Sequence, residues 1–180
     1  MTQPANHIVD AAVLIPIYRE NGREGPVKIV LVKRTEGGPH GGQIAFPGGK
    51  CAPEDNSMLD TALREAQEEI GLEPGAVEIL DELAPVDTVS TGFLIYPFLG
   101  RITRPAEWIR EPREIAEILE VDVEDLLRPE AHGCEMRIFP EWPDPLEIPF
   151  YRIGPHKLWG ATYRILHPLL PLLASTDPDA

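Results

Sequence analysis

Cysteines and long apolar runs are both scarce in this chain. Its 180 residues include two cysteines, Cys51 and Cys134, which are too few for a disulfide framework or a zinc site, so we expect reduced thiols. No apolar run approaches the roughly 20 residues that a membrane-spanning helix needs. Residues 1–10 lack the basic and apolar regions of a signal peptide. These absences predict a cytoplasmic protein without a membrane partner.

Positive charge is also in short supply. The chain carries 16 Lys and Arg against 30 Asp and Glu, a formal net charge of −14. That balance leaves no basic stripe to neutralise a phosphate backbone, which argues against nucleic acid as a partner. A phosphorylated small molecule stays compatible if metal ions and a few local cations screen it. For most of the acidic residues, a solvated surface that keeps the protein soluble is the simpler interpretation.

Apolar β-branched runs alternate with turn-forming residues along the chain. The alternation predicts strands at 11–18, 27–32, 77–83, 93–102, 115–121, 136–139 and 146–153. Gly71 is a natural stop for the first of three predicted helices, which span 57–70, 123–127 and 158–166. We therefore expect one α/β (α+β) domain over residues 1–180, in which a mixed sheet has helices packed on both faces.

Three carboxylates crowd one side of the first predicted helix. At about 100° per residue, Glu65, Glu68 and Glu69 fall within an arc of roughly 100°. Such neighbours raise each other's pKa unless a positive charge sits among them. Hard cations such as Mg²⁺ prefer carboxylate oxygens, so the face is a candidate metal cradle. The simpler alternative is an exposed acidic face, in which Arg64 and Glu68 form an ordinary i,i+4 pair.

The segment from Arg64 to Leu72 resembles the Nudix box. That box has the form Gly, five residues, Glu, seven residues, Arg-Glu-apolar-x-Glu-Glu-x-Gly-apolar, and every fixed position from Arg64 to Leu72 matches it. Counted from Gly49, the first acid is Asp55 rather than Glu, and eight residues rather than seven separate it from Arg64. The resemblance implies a Nudix hydrolase, with a mixed, curved sheet sandwiched between helices.

The resemblance also implies a chemistry and its residues. Nudix hydrolases use divalent metal ions, Mg²⁺ or Mn²⁺, to bridge a pyrophosphate and to activate the attacking water. By resemblance, Glu65, Glu68 and Glu69 are metal ligands, together with the backbone carbonyl of Gly49. Arg64 would orient a box carboxylate through a charge-assisted hydrogen bond. We expect Arg64, Glu68 and Glu69 to be the box residues that matter most for catalysis.

Residues outside the box resemble the coenzyme A pyrophosphatase branch of the family. The resemblance rests on Leu31–Thr35, on His40, on Gly42–Lys50 and on Trp159–Thr162. It implies coenzyme A as the leading substrate, which would be cut to 3′,5′-ADP and 4′-phosphopantetheine. Thr35 stands where the branch usually has Ser, and the loop that follows is shorter than usual.

Candidate substrate contacts come from the same segments. Lys50 is the best placed cation for the substrate's phosphates because it adjoins the metal loop, whereas His40 could contact substrate or cap its own loop. For Trp159, packing in the core is the favoured interpretation. The full set of candidate substrate contacts is Lys33, Arg34, His40, Gln43 and Lys50.

One acid outside the box is expected as a metal ligand or a base. Glu114 matches the position that several Nudix enzymes use, and Glu117 competes with it.

Alternative substrates within the family are ADP-ribose, NADH and diadenosine polyphosphates. The alternative of another class is a catalytically silent nucleotide-binding module, which the intact glutamates of the box disfavour.

Overall fold

The computed structural model describes residues 8–20, 25–37, 40–88, 92–139 and 142–175. The strands are β1 (Val9–Arg19), β2 (Val27–Arg34), β3 (Ile44–Ala45), β4 (Gly48–Lys50), β5 (Val77–Glu82), β6 (Val86–Asp87), β7 (Phe93–Ile102), β8 (Ile115–Asp122), β9 (His132–Arg137), β10 (Leu146–Ile153) and β11 (His156–Trp159). The helices are α1 (Met58–Ile70), α2 (Val123–Leu127), α3 (Gly160–Leu166) and α4 (Leu170–Ser175).

The larger sheet is mixed, as the sequence predicted. Five strands follow the order β3-β2-β1-β7-β5, and β4 is added to β1, β6 to β7 and β8 to β2. Strands β1 and β7 run parallel, from Val9 opposite Phe93 to Ile17 opposite Arg101, while the other pairs are antiparallel.

The central strand β1 is buried on both faces. Ala12 and Leu14 pack in the core beneath α1, whereas Ile15 and Ile17 belong to the core on the opposite face. Because neither face meets water, the strand has an almost continuous apolar sequence instead of the alternation typical of a half-exposed strand.

A second sheet and three short helices cover the face opposite α1. Strands β9, β10 and β11 form this antiparallel sheet in the order β11-β10-β9. Tyr151 and Leu158 from the sheet share a core with Leu126, Leu166 and Leu170 from α2, α3 and α4. The predicted arrangement of helices on both faces of a mixed sheet is confirmed, but the second sheet was not predicted. No helix within the described residues is long and apolar enough to cross a membrane.

Helix α1 begins and ends where the sequence predicted. The Ser57 side chain accepts a hydrogen bond from the Asp60 amide and so caps the first turn. Gly71 ends the helix in the left-handed conformation, with φ 69°. Ala62, Ala66 and Ile70 pack on the sheet and leave the acidic side of the helix free to face the strand loops.

The segment from His156 to Leu166 corrects the predicted helix at 158–166. Residues His156–Trp159 are strand β11, and α3 starts only at Gly160. Leu158 is fully buried opposite Tyr151, so pairing with β10 decides its conformation. Trp159 is not a core residue: it is half-buried, and the Arg137 guanidinium lies 3.8 Å from its ring centroid.

The strand predicted at 136–139 is also misplaced. Strand β9 spans His132–Arg137 because that segment is the one that pairs with β10, where Met136 lies opposite Glu147. Ile138 and Phe139 lie beyond the strand.

Candidate active site

A glycine pair in β4 brings the backbone against the acidic side of α1. A Cβ on Gly48 would lie 2.3 Å from the Ala12 carbonyl oxygen, and a Cβ on Gly49 would lie 2.4 Å from the Glu65 carboxyl carbon. Any side chain at Gly49 would therefore displace the Glu65 carboxylate. Gly48 needs to be glycine because β4 approaches β1 too closely for a Cβ, and Gly49 because β4 approaches α1 too closely.

Arg64 is the hub of the acidic cluster. Its Nε and Nη2 donate to the two carboxylate oxygens of Asp55 at 2.8 and 2.9 Å, and Nη2 also donates to the Lys50 carbonyl at 3.1 Å. The remaining nitrogen, Nη1, reaches Glu65 at 2.9 Å and Glu68 at 3.2 Å. The i,i+4 pair that the sequence offered as an alternative therefore forms, but as part of a larger network.

Asp55 holds this arginine in place. Its side chain is 3% exposed and also accepts hydrogen bonds from the Thr61 hydroxyl at 2.8 Å and the Ala52 amide at 2.9 Å. The Arg64 hydrogen bonds, above all, keep the pKa of Asp55 well below its usual range against the effect of burial. The departure from the usual box spacing thus leaves an acid that anchors Arg64, which the sequence did not reveal.

Glu69 is the most deeply buried acid of the box. Its side chain is 2% exposed, and its oxygens accept from Arg34 Nη1 at 3.1 Å and from the Gly48 amide at 3.0 Å. Burial raises the pKa of Glu69 to about 7, although Arg34 and the Gly48 amide oppose the rise. Arg34, predicted as a substrate contact, therefore neutralises a box acid.

The arrangement fits the divalent cation that the sequence predicted. Burial raises the pKa of Glu65 in spite of Arg64, so a further positive charge beside Glu65 would be favourable. Glu65 and Glu68 together with the Gly49 backbone offer hard oxygen donors. Among the described residues, no three acidic, histidine or cysteine side chains already converge on one metal position. The reason is that the Arg64 Nη1 group lies between Glu65 and Glu68, while Glu69 faces Arg34.

The two candidate acids outside the box lie on different faces of the sheet. Glu114 Oε2 is 3.8 Å from Arg34 Nη2, on the side of the box. Glu117 Oε2 is 3.3 Å from His156 Nε2 in the second sheet, on the face opposite α1. The geometry therefore brings Glu114, and not Glu117, to the acidic cluster.

Two of the remaining predicted contacts, Lys50 and His40, lie beside an aromatic ring that the sequence analysis missed, whereas Lys33 pairs with Glu36 at 3.7 Å. Lys50 Nζ lies 5.5 Å from the Phe93 ring centroid, and the His40 ring lies edge-on at 6.4 Å. His40 has a φ of 66°, unusual for a residue with a side chain, and its carbonyl accepts from the Gln43 amide at 3.2 Å. Gln43 joins the cluster through its backbone. Phe93 escaped notice because one phenylalanine in an apolar strand carries no functional signal.

A model of the NUDIX domain matches residues 9–142 of this chain. The chain belongs to the Nudix family. It is therefore a Nudix hydrolase, an enzyme acting on phosphorus-containing anhydrides, and such enzymes generally use divalent metal ions such as Mg²⁺.

Curated Nudix relatives cover most of the chain. A protein of Yersinia enterocolitica named "Uncharacterized Nudix hydrolase NudL" is 34% identical over 167 residues, which cover 88% of this chain and 78% of the relative. A Citrobacter koseri protein of the same name is 36% identical over 154 residues, or 85% of this chain and 71% of the relative.

Solved Nudix structures share the fold at low sequence identity. A MutT/nudix family protein from Enterococcus faecalis superposes with a TM-score of 0.62 at 18% identity, covering 95% of this chain and 65% of that chain. The NUDIX domain of Shewanella oneidensis NrtR, solved with ADP ribose, gives a TM-score of 0.53 at 17% identity, covering 66% of this chain and 75% of that chain. A C. elegans Ap4A hydrolase gives a TM-score of 0.54 at 19% identity, covering 66% of this chain and 82% of that chain.

Proposed function

We propose that this Nudix hydrolase cleaves the pyrophosphate bond of coenzyme A and its acyl derivatives, releasing 3′,5′-ADP and (acyl-)4′-phosphopantetheine in the presence of Mg²⁺. One observation carries the proposal. The segment from His40 to Lys50, which resembles the coenzyme A branch, contacts both the acidic cluster of the box and the group of Lys50, His40 and Phe93. We call these the acidic half and the cationic half of the site. The Gly48 amide of this segment donates to Glu69 and its Gly49 leaves room only for the Glu65 carboxylate, while its Lys50 and His40 side chains lie beside Phe93.

The acidic half is proposed to hold the metal and the attacking water. Glu65, Glu68 and the Gly49 carbonyl would bind a divalent cation, which when bound neutralises phosphate oxyanions and lowers the pKa of a coordinated water. Glu69 is kept in position by Arg34 and the Gly48 amide. It is proposed to complete the ligand set through its remaining lone pairs.

Arg64 and Glu114 are proposed to act beside these ligands. Arg64 orients Glu65 and Glu68, and Asp55 holds the Arg64 guanidinium in place. The two glutamates therefore have little rotational freedom. Glu114 is exposed and adjacent to Arg34, which suits a group that accepts a proton from the attacking water or helps to orient it.

The cationic half is proposed to bind the nucleotide. Lys50 would pair with a phosphate of the substrate, and Phe93 with His40 would offer aromatic surface to the base. Gln43, half-buried in the same turn, is proposed as a further polar contact. Together the two halves suit a pyrophosphate that has a nucleoside on one side.

A substrate panel tests the proposal. Purified protein with Mg²⁺ is incubated separately with coenzyme A, dephospho-coenzyme A, ADP-ribose, NADH and diadenosine tetraphosphate, and products are identified by mass spectrometry. Coenzyme A should give the highest kcat/KM, and simple phosphomonoesters should not react. Intact coenzyme A beside rapid cleavage of ADP-ribose or diadenosine tetraphosphate would overturn the substrate and leave the chemistry standing. Inactivity on every substrate would favour a binding module instead.

A further inference from the structure

The loop between β7 and β8, residues 103–114, carries Glu114 to the active site. The Glu114 side chain is 56% exposed and meets Arg34 only at 3.8 Å, so this pair alone provides little ordering. The position of Glu114 must therefore be set by the loop that carries it, which we call the β7–β8 loop. Three groups of contacts fasten this loop.

The first group of contacts joins the start of the loop to Glu120 of β8. Arg104 donates from Nε and Nη2 to the two Glu120 oxygens at 2.7 and 3.0 Å. The Trp108 indole N–H donates to Glu120 Oε1 at 2.7 Å. Burial would raise the pKa of Glu120, but the hydrogen bonds from Arg104 and Trp108 outweigh it and lower the pKa overall. Glu120 therefore stays a charged acceptor that ties both residues to the sheet.

The second group of contacts joins the loop to the last turn of α1. The Ile109 amide donates to the Ile70 carbonyl at 3.3 Å, and the Glu111 amide donates to the Glu69 carbonyl at 3.0 Å. A Cβ on Gly71 would lie 2.7 Å from the Ile109 Cβ, so the loop packs directly on the end of the helix. The loop thus supplies donors to terminal helix carbonyls that have no partner within the helix. One of these carbonyls belongs to Glu69, itself a box acid.

The third group of contacts joins the end of the loop to Thr35, which follows β2. The Thr35 hydroxyl donates to the Arg113 carbonyl at 3.0 Å, and the Thr35 amide donates to the Glu114 carbonyl at 2.8 Å. Thr35 stands where the coenzyme A branch usually has Ser, and either residue supplies the hydroxyl. This hydroxyl holds the residue before Glu114 instead of pointing at a substrate.

We propose that Glu120, Trp108 and Thr35 are positioning residues, which hold the β7–β8 loop so that Glu114 stays beside Arg34 and the box. The proposal rests on the proposed role of Glu114. The three residues lie outside the acidic cluster and act through backbone placement. A group displaced by an ångström loses much of its catalytic effect, because proton transfer and water orientation depend steeply on distance.

Matched variants separate anchoring from general stability. Trp108→Phe keeps the aromatic packing but removes the indole N–H, and Glu120→Gln keeps the shape but removes the charge. Thr35→Val removes the hydroxyl, and Thr35→Ser restores it. Tyr163→Phe is the control, because it removes a tyrosine hydroxyl that hydrogen-bonds to Tyr151 of β10, on the face of the sheet opposite α1.

Two measurements read out the variants. The first is amide hydrogen exchange at Ile109 and Glu111, in the protein without metal or substrate. The second is kcat and KM for the substrate that the panel identifies. Trp108→Phe, Glu120→Gln and Thr35→Val should exchange faster and lose roughly tenfold or more in kcat, with little change in KM. Thr35→Ser and Tyr163→Phe should behave like the unmodified protein.

The outcomes distinguish this proposal from the one on which it rests. Unchanged exchange and unchanged kcat in Trp108→Phe and Glu120→Gln would overturn the anchoring. Equal losses in Tyr163→Phe, or no rescue by Thr35→Ser, would also overturn it, because the effect would then be general destabilisation. Full activity in Glu114→Gln combined with faster exchange in the loop variants would reject the role of Glu114 and leave the anchoring measured independently.

Discussion

Arg34 donates from Nη1 to Glu69 at 3.1 Å and places Nη2 3.8 Å from Glu114, so one guanidinium joins β2, α1 and the β7–β8 loop. Glu69 is almost entirely buried, so Arg34 favours its ionised form against the effect of burial. Arg34 belongs to a sequence segment that suggested substrate binding. Its contacts show that it also organises the acidic half of the site.

The ion pair between Arg34 and Glu69 predicts that replacing Arg34 destabilises the protein. Above pH 7, where Glu69 is ionised, Arg34→Ala should lower the free energy of unfolding by about 3 kcal/mol, because it leaves the buried carboxylate without its cation. Lys33→Ala is the control, since Lys33 pairs with the exposed Glu36, at 3.7 Å, and should cost less than about 1 kcal/mol. Urea unfolding above the Glu69 pKa of about 7 measures both. Equal effects of the two substitutions would contradict the structural role of Arg34.

Glu68 offers the cleanest test of the metal proposal. Its side chain is 60% exposed, so Glu68→Gln should leave the melting temperature nearly unchanged. It should reduce both Mg²⁺ affinity and turnover sharply, because a hard cation binds a charged carboxylate far better than an amide. Calorimetric titration with Mg²⁺ and steady-state kinetics measure the two effects. The matched control is Glu124→Gln on α2; wild-type rates in Glu68→Gln at saturating Mg²⁺ would reject the ligand role.

Glu114 and Glu117 should behave differently. Glu114→Gln should lower kcat and kcat/KM together with little change in KM, as expected for an interaction made mainly in the transition state. Glu117→Gln should keep nearly full activity, because that side chain meets His156 on the opposite face of the sheet. Steady-state kinetics on both variants decide the matter. If the two results are exchanged, Glu117 reaches the site in solution and the assignment fails.

Asp55 should make the protein sensitive to acid. Its pKa is lower in the folded than in the unfolded protein, so ionised Asp55 stabilises the fold above its ordinary pKa of about 4. That stabilisation is lost as the pH falls below about 4. The difference in unfolding free energy between wild type and Asp55→Asn should therefore be full at pH 7 and shrink in acid. Asp125→Asn, at an exposed ion pair with Arg128, should change stability little; a pH-independent difference for Asp55→Asn would refute the prediction.

Phe93 should affect substrate affinity more than turnover. Phe93→Leu removes the ring that Lys50 and His40 approach, and should raise KM several-fold with a smaller change in kcat. Phe93→Tyr retains the ring and should stay close to wild type. Kinetics across the substrate panel provide the measurement. An unchanged KM in Phe93→Leu for every cleaved substrate would show that the ring is structural.

Helix α1 could be predicted from the sequence because its signals are local. Ser57 caps the start, Gly71 takes the left-handed conformation at the end, and the apolar residues between them repeat with helical spacing. The run from Arg64 to Glu69 spans less than two turns. Helix geometry alone therefore places its acids together, whatever the rest of the chain does.

Other parts of the site depended on contacts that no local pattern encodes. Glu114 and Glu117 are three residues apart, yet Glu114 closes the β7–β8 loop beside Arg34, whereas Glu117 lies in β8 opposite Lys33 and next to His156. Strand β11 was mistaken for helix because its conformation is decided by β10.

Contacts between residues far apart in the sequence show the same limit. Arg34 and Glu69 are 35 residues apart, and Thr35 and Arg113 are 78 apart. Residue type alone does not indicate which distant groups will meet. The sequence by itself determined the box, its helix and the class of chemistry, because those depend on short-range geometry. Strand pairing and packing decided which arginine neutralises Glu69 and which loop delivers Glu114.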